Sequence, residues 1–160
     1  MNLYIKQKVF TWGDQFTVKD AQGRDRHFVE GEVFTFGKKL HILSPDGREE
    51  AFIEQQLFTW MPRYRVYIGG RQVAEVVRRF SFLFPSYSIE GLGWEVEGDF
   101  FSHEYQITKN GKPIATISKE WMTWGDSYQL SIDDGVDEIM ALAVVLAIDA
   151  VIESSNNNHH

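Results

Sequence analysis

The stretch DDGVDEIMALAVVLAIDAVIE at residues 133–153 limits the possible folds more than any other segment of this chain. It carries the one long helical signal in a sequence that otherwise reads as short strands, and between Ile139 and Ile148 it is apolar on every side. A helix lying on a sheet needs a single apolar stripe, whereas a helix without a polar face needs surroundings on all sides. A membrane would supply them, but the uninterrupted run is about half of the ~20 residues a bilayer requires. Asp149 then interrupts it. The expectation is a buried core helix over about residues 134–153, within one domain spanning 1–153, followed by a polar disordered tail at 154–160.

The rest of the chain supplies the surround. Residues 4–132 alternate β-rich runs with turn signals, and one pattern recurs four times: FTWGDQFTV at 10–18, FTFGKKLHI at 34–42, FTWMPRYRV at 58–66 and MTWGDSYQL at 122–130. Each copy reads as a bend followed by a fresh strand, with Gly13, Gly37 or Gly125 making the bend and the aromatic (Trp12, Phe36, Trp60, Trp124) packed inward. The third copy has Met61-Pro62 in place of the glycine and must bend differently. Hairpin turns fall between the copies, Asn110-Gly111 being the strongest. Segments 81–84, 87–90, 94–97, 103–108 and 114–118 continue the meander to about a dozen strands.

So many antiparallel strands with one all-round apolar helix have few packing solutions. An open sheet would leave two edges and cover the helix on one side only. The fold class is therefore mainly β, a closed antiparallel barrel of about twelve strands enclosing the C-terminal helix. Asp133 or Asp134 is placed to N-cap that helix. At ~1.5 Å per residue, Glu138 and Asp149 lie about 16 Å apart on nearly one azimuth. Both acids are expected near the barrel mouths, Asp149 accepting from backbone N–H groups or a nearby cation.

Composition removes several functions. The net charge of −7 argues against nucleic acid, whose phosphates call for clustered Lys and Arg. Without cysteine there is no disulfide, thiolate zinc site or cysteine nucleophile. The opening MNLYIKQKVF lacks a secretory h-region, so the expected location is cytoplasmic, with peripheral attachment to a membrane compatible with it. No GxSxG, HExxH or phosphate-loop pattern occurs, and Gly91-Leu92-Gly93 is too short for a nucleotide fingerprint; neither a catalytic residue nor a cofactor is assigned.

The segments VEGDFFSHEYQI (96–107), PIATISKEW (113–121) and GDSYQLSIDDGVDEIMALAVVLAIDAVI (125–152) resemble the LURP-one-related proteins, a branch of the tubby-like superfamily with small bacterial members. Lys119, the Asp126-x-Tyr128 strand and the helix from Asp137 to Asp149 carry the resemblance. It implies a twelve-stranded barrel around a central hydrophobic C-terminal helix. It also implies a relation to proteins that bind membrane phosphoinositides and to scramblases that act on phospholipids.

Five arginines, Arg63, Arg65, Arg71, Arg78 and Arg79, fall within adjacent strand segments, with Lys38 and Lys39 one repeat earlier. Arginine forks match phosphate oxygens, so these residues form the candidate patch for phosphate headgroups. Ordinary outward-facing barrel surface, with the arginines paired to the abundant acids, is the simpler reading of the same residues. Glu95, Glu97 and Asp99 alternate as any solvated strand face does, and His27, His41 and His103 lie on separate strands without a second ligand at metal spacing. The functional expectation is a non-enzymatic binding or scaffold module whose partner is an anionic lipid surface or another protein. The alternative is a small-molecule-binding protein or enzyme with a site at a barrel mouth.

Overall fold

A computed structural model describes residues 1–6, 15–32, 36–100, 102–119 and 127–157. The strands are β1 (Asn2–Lys6), β2 (Gln15–Asp20), β3 (Asp25–Gly31), β4 (Lys39–Leu43), β5 (Glu49–Gln55), β6 (Arg63–Ile68), β7 (Arg71–Arg79), β8 (Ser86–Glu90), β9 (Glu95–Asp99), β10 (Glu104–Lys109), β11 (Lys112–Lys119) and β12 (Ser127–Ile132). One helix, α1 (Glu138–Asn157), follows. All twelve strands join one antiparallel sheet in the order β8-β7-β6-β5-β4-β3-β2-β1-β12-β11-β10-β9. The chain ends of the meander meet through β1 and β12, paired from Asn2 opposite Ser131 to Lys6 opposite Ser127.

The barrel is nearly closed, with a seam where β8 and β9 do not pair. Aromatic packing bridges that seam: the Tyr87 and Phe100 rings meet edge-on at 4.7 Å, and Phe100 leans on Tyr105 at 5.3 Å. Beside it, Gly98 (φ +139) lets β9 press against β10, because a Cβ there would stand 2.5 Å from the Glu104 carbonyl oxygen. The Asn110-Gly111 turn behaves as its sequence predicts, with φ of +51 and +78 as a type I′ hairpin needs.

Period-two alternation puts one face of each strand inside. Leu3, Ile5, Val18, Val29, Ile42, Ile53, Val66, Val76, Ile107, Ile117 and Leu130 are fully or almost fully buried. They enclose α1, whose residues 141–152 are all buried. The helix packs closest to β5, β6 and β7, where the small side chains of Ala51 and Ala74 admit its backbone. Helix burial on all sides is what the missing polar face demanded. No helix among the described residues is long and apolar enough to cross a membrane.

Two helix boundaries differ from expectation. Asp137, not Asp133 or Asp134, is the N-cap: its Oδ1 accepts from the Met140 amide at 2.9 Å. Gly135 (φ +82) lies in the left-handed region, which excludes an earlier start. At the other end the helix continues past Glu153 to Asn157, and Ser154 and Ser155 are buried; the Ser154 hydroxyl shares a 2.7 Å hydrogen bond with the Tyr64 phenol. Segment 81–84, read as a strand, instead forms part of the connection between β7 and β8.

Antiparallel order sorts the connections into two groups. Those after β1, β3, β5, β7, β9 and β11 share one end with the C-terminus of α1, here called the C-mouth. The remaining turns and the start of α1 form the N-mouth.

Candidate functional site

The five arginines do not form one patch. Arg63 and Arg65 alternate on the outer face of β6, and both engage Glu75 of β7, at 2.8 Å from Arg63 Nη1 and 3.3 Å from Arg65 Nε. Arg65 stands directly opposite Glu75 in the register, the cross-strand arrangement that neutralises a charge locally. Arg79 reaches across to β8, donating to the Ser88 hydroxyl at 2.9 Å and pairing with Glu90. Arg71 begins β7 at the N-mouth, roughly 26 Å of strand from Arg79 at ~3.3 Å per residue.

Arg78 differs from all four. One residue off the alternation, it shares the inward face of Ala74 and Val76 and stands opposite Tyr87. Its Nε is buried without a hydrogen-bond partner, and among the described residues it has no carboxylate partner. Burial pushes the Tyr87 phenol pKa up, and the Arg78 charge pulls against that rise. The structure brings Arg63, Arg78 and Arg79 together along a groove of about 420 Å³ at the C-mouth, walled by Trp60, Val77 and Phe80. Arg65 and Arg71 lie outside it.

Trp60 overturns an expectation. The repeat places it inward, yet it is 84% exposed and stacks on Phe80 at 6.0 Å, and Phe36 at the same position of the second copy is exposed as well. The cause is local. The Gln56 amide donates to the Arg63 carbonyl at 3.0 Å, so residues 57–61 loop out beyond the last rung with no strand behind them. Phe58 takes the left-handed conformation (φ +60) where the other copies have glycine further on, and is 98% exposed. Gly37 (φ +83) does make the bend of the second copy. Trp12, Gly13, Trp124 and Gly125 lie outside the described residues.

A second cluster lies inside the barrel around Asp149. The Tyr128 phenol donates to its Oδ2, while Oδ1 is buried without a hydrogen-bond partner and has His103 Nε2 at 3.7 Å. The His103 ring stacks on Tyr128 at 4.4 Å, and the buried Tyr105 hydroxyl is also unpartnered. Burial raises the Asp149 pKa to about 7, with the Tyr128 hydrogen bond opposing and Glu153 adding to the rise. Burial lowers that of His103, helped by the Lys119 charge. The expected partners of Asp149, backbone N–H groups or a cation, are thus replaced by a phenol. His103 sits in a turn (φ +53) and not on a strand.

At the N-mouth the other helix acid has a cation and an imidazole for partners. Arg26 forks onto Glu138 at 3.1 and 2.9 Å, and His27 bridges Glu138 and Glu50, the latter at 2.7 Å. His41 similarly contacts Glu49 and Glu32. The acidic row on β9 is solvated, Glu97 accepting from Gln106 and Asp99 from the Ser102 amide.

A model of the LURP-one-related family matches residues 1–149, the whole barrel and the helix as far as Asp149. The chain belongs to the LURP-one-related family. It is 36% identical over 152 residues to the uncharacterised protein YxjI of Bacillus subtilis (strain 168), covering 95% of this chain and 94% of that one. A protein of Arabidopsis thaliana solved by X-ray crystallography shares the fold, with a TM-score of 0.67 and 16% identity over 94% of this chain and 90% of the other. Within this LURP-one-related barrel, three of the positions that carried the sequence resemblance come together: Tyr128 bonds Asp149, and the charge of Lys119 acts on His103 beside them. Sequence reasoning missed His103 and Tyr105 as members of that cluster. The signal available was alternation on β10, which turns Tyr105 inward with Ile107.

Proposed function

We propose that this protein is a non-enzymatic binding module that attaches peripherally to anionic phospholipid headgroups, with Arg63, Arg78 and Arg79 as the phosphate-binding residues. The carrying observation is Arg78: a permanently charged guanidinium at a groove, with a buried Nε and no carboxylate partner among the described residues. A phosphate oxygen satisfies both the orphan donor and the charge. Arg63 and Arg79, already oriented by Glu75 and Glu90, flank it.

The acidic net charge opposes this reading only weakly. Asp133, Asp134, Asp137, Glu138, Glu49 and Glu50 crowd the N-mouth. The 20-residue helix separates them from the C-mouth by about 30 Å at ~1.5 Å per residue, several times the ~8 Å screening length at physiological salt. Co-sedimentation with phosphatidylcholine vesicles, with and without phosphatidylserine, tests the proposal. Binding is expected to require the anionic lipid, to weaken with salt, and to fall about tenfold or more in Arg78→Gln, the loss of one charge-assisted contact. Equal binding by Arg78→Gln, or no binding at low salt, refutes it.

The alternative of a small-molecule or catalytic site has two places among the described residues of this barrel: the Asp149 cluster, whose carboxylate is buried, and a cleft of about 600 Å³ lined by His41, Glu49, Glu50, Phe52 and Tyr67.

A further inference from the structure

Among the described residues, large apolar side chains are exposed almost only at one end. Of nine such residues among those described, eight lie on C-mouth connections, and Met1 is the exception. Seven of them occupy two neighbouring loops, because β6 and β7 pair: Leu57, Phe58 and Trp60 before β6, and Phe80, Phe82, Leu83 and Phe84 after β7. The loops touch through the Trp60–Phe80 stack, and Phe80 meets Phe82 edge-on at 5.8 Å. A water-exposed monomer surface does not ordinarily concentrate apolar residues in this way.

We infer that this rim is a membrane-insertion surface: Phe58, Trp60, Phe80, Phe82, Leu83 and Phe84 enter the boundary between headgroups and acyl chains, with the C-terminus of α1 turned toward the lipid. The inference rests on the headgroup reading and deepens it, adding an apolar contact with the acyl boundary to the arginine contact with phosphate.

Three features favour lipid over a protein partner. The side chains project from loops, Phe58 at 98% exposure and Phe82 at 92%, so they form protruding fingers, some in contact with each other, and not a flat face. A fluid apolar layer accepts fingers in any arrangement, whereas a protein must offer a matched pocket for each. The residue types are Phe, Trp and Leu, which suit an interfacial anchor. The groove with Arg63, Arg78 and Arg79 opens directly behind the tips, at the depth where phosphates lie above inserted side chains. Acids gather at the opposite mouth, which orients the molecule the same way.

The test uses the full chain, vesicles of phosphatidylcholine with phosphatidylserine, and the double variant Phe82→Ser/Leu83→Ser, whose exposed positions leave the core intact. Brominated acyl chains are expected to quench the Trp60 emission, identified by its loss in Trp60→Phe. The double variant should bind at least tenfold more weakly and lose the salt-resistant part of binding, while keeping the salt-sensitive part. Wild-type binding with no quenching, or equal binding by the double variant, overturns insertion and leaves the headgroup reading standing. Absence of all vesicle binding at low salt overturns both. If the double variant instead converts a dimer to a monomer in sedimentation and leaves lipid binding unchanged, a second copy covers the rim and insertion is wrong.

Discussion

Glu138 and Asp149 belong to one helix and face opposite fates. Burial acts on both by disfavouring the charged form, yet their acidities move in opposite directions. At the N-mouth, burial of Glu138 is outweighed by hydrogen bonds and charge from Arg26 and His27, which hold its pKa below the usual value. Inside the barrel, Asp149 has only a neutral phenol for a donor, and burial lifts its pKa to about 7. The difference teaches that the partner, and not the depth alone, decides what a carboxylate does to stability. A cation makes the ionised form the stable one; a phenol and an orphan oxygen favour the proton.

The largest expected effect follows from Asp149. Unfolded, it ionises near 3.8, and folded, near 7. Between those values the folded state binds more protons, so stability falls as pH rises and levels off above 7. The full drop is on the order of 4 kcal/mol, from the ~1.4 kcal/mol that each pKa unit represents. Asp149→Asn cannot ionise and is expected to remove that drop, standing more stable than wild type at pH 8 and close to it at pH 4. Urea midpoints across this range decide. A variant that keeps the wild-type slope would show that another group drives it.

Tyr128→Phe should come next. It removes the donor to Asp149 Oδ2 and leaves both carboxylate oxygens unpartnered, at a cost of about 1–3 kcal/mol. Because the lost hydrogen bond favoured the ionised form, the Asp149 pKa should rise further and the loss should be larger at pH 8 than at pH 5. Equal losses at the two values would mean that Tyr128 contributes packing alone.

Why the sequence predicted one half of this comparison and not the other has a physical answer. Apolar residues on every side of residues 139–148 implied a surrounded helix, and that part was legible because burial is non-directional. The same property hid the partner of Asp149. A helix without a polar face has no preferred rotation readable from its pattern, so nothing in the chain says which strand faces residue 149. Tyr128 is reached only through the packed barrel. The arginines show the same limit in the sheet. Alternation placed Arg63 and Arg65 on one face, but the pairing of Arg65 with Glu75 depends on register, and the register of β6 with β7 shifts between Val66 and Tyr67. Trp60 was misplaced for a third reason: repetition in sequence was read as repetition in the core, whereas this copy's aromatic lies on a loop beyond the ladder.

Glu138→Gln should reverse the sign of the Asp149 experiment. With its folded pKa below the unfolded 4.5, Glu138 contributes stability that is fully present above that value and is lost as pH falls through the folded pKa. The side chain is partly open to solvent, which screens the interaction, so the variant should lose only about 1 kcal/mol at pH 7. At pH 3 the loss should shrink toward zero. A loss that grew on acidification would break the comparison.

The smallest effect isolates what Arg26 adds. Its guanidinium forks onto Glu138 but is close to half exposed, and exposed pairs are worth about 0.2–1 kcal/mol. In Arg26→Gln, His27 still holds Glu138 Oε2, so the carboxylate keeps one hydrogen-bonding partner and the loss at pH 7 should be about 0.5 kcal/mol. Raised salt should abolish most of it. His27→Gln removes the buried member of the pair and should cost more than Arg26→Gln, because Glu50 then loses its contact as well. If Arg26→Gln proves the more damaging of the two, the N-mouth carboxylate is governed by exposed charge, and the contrast with Asp149 would rest on solvent access and not on the kind of partner.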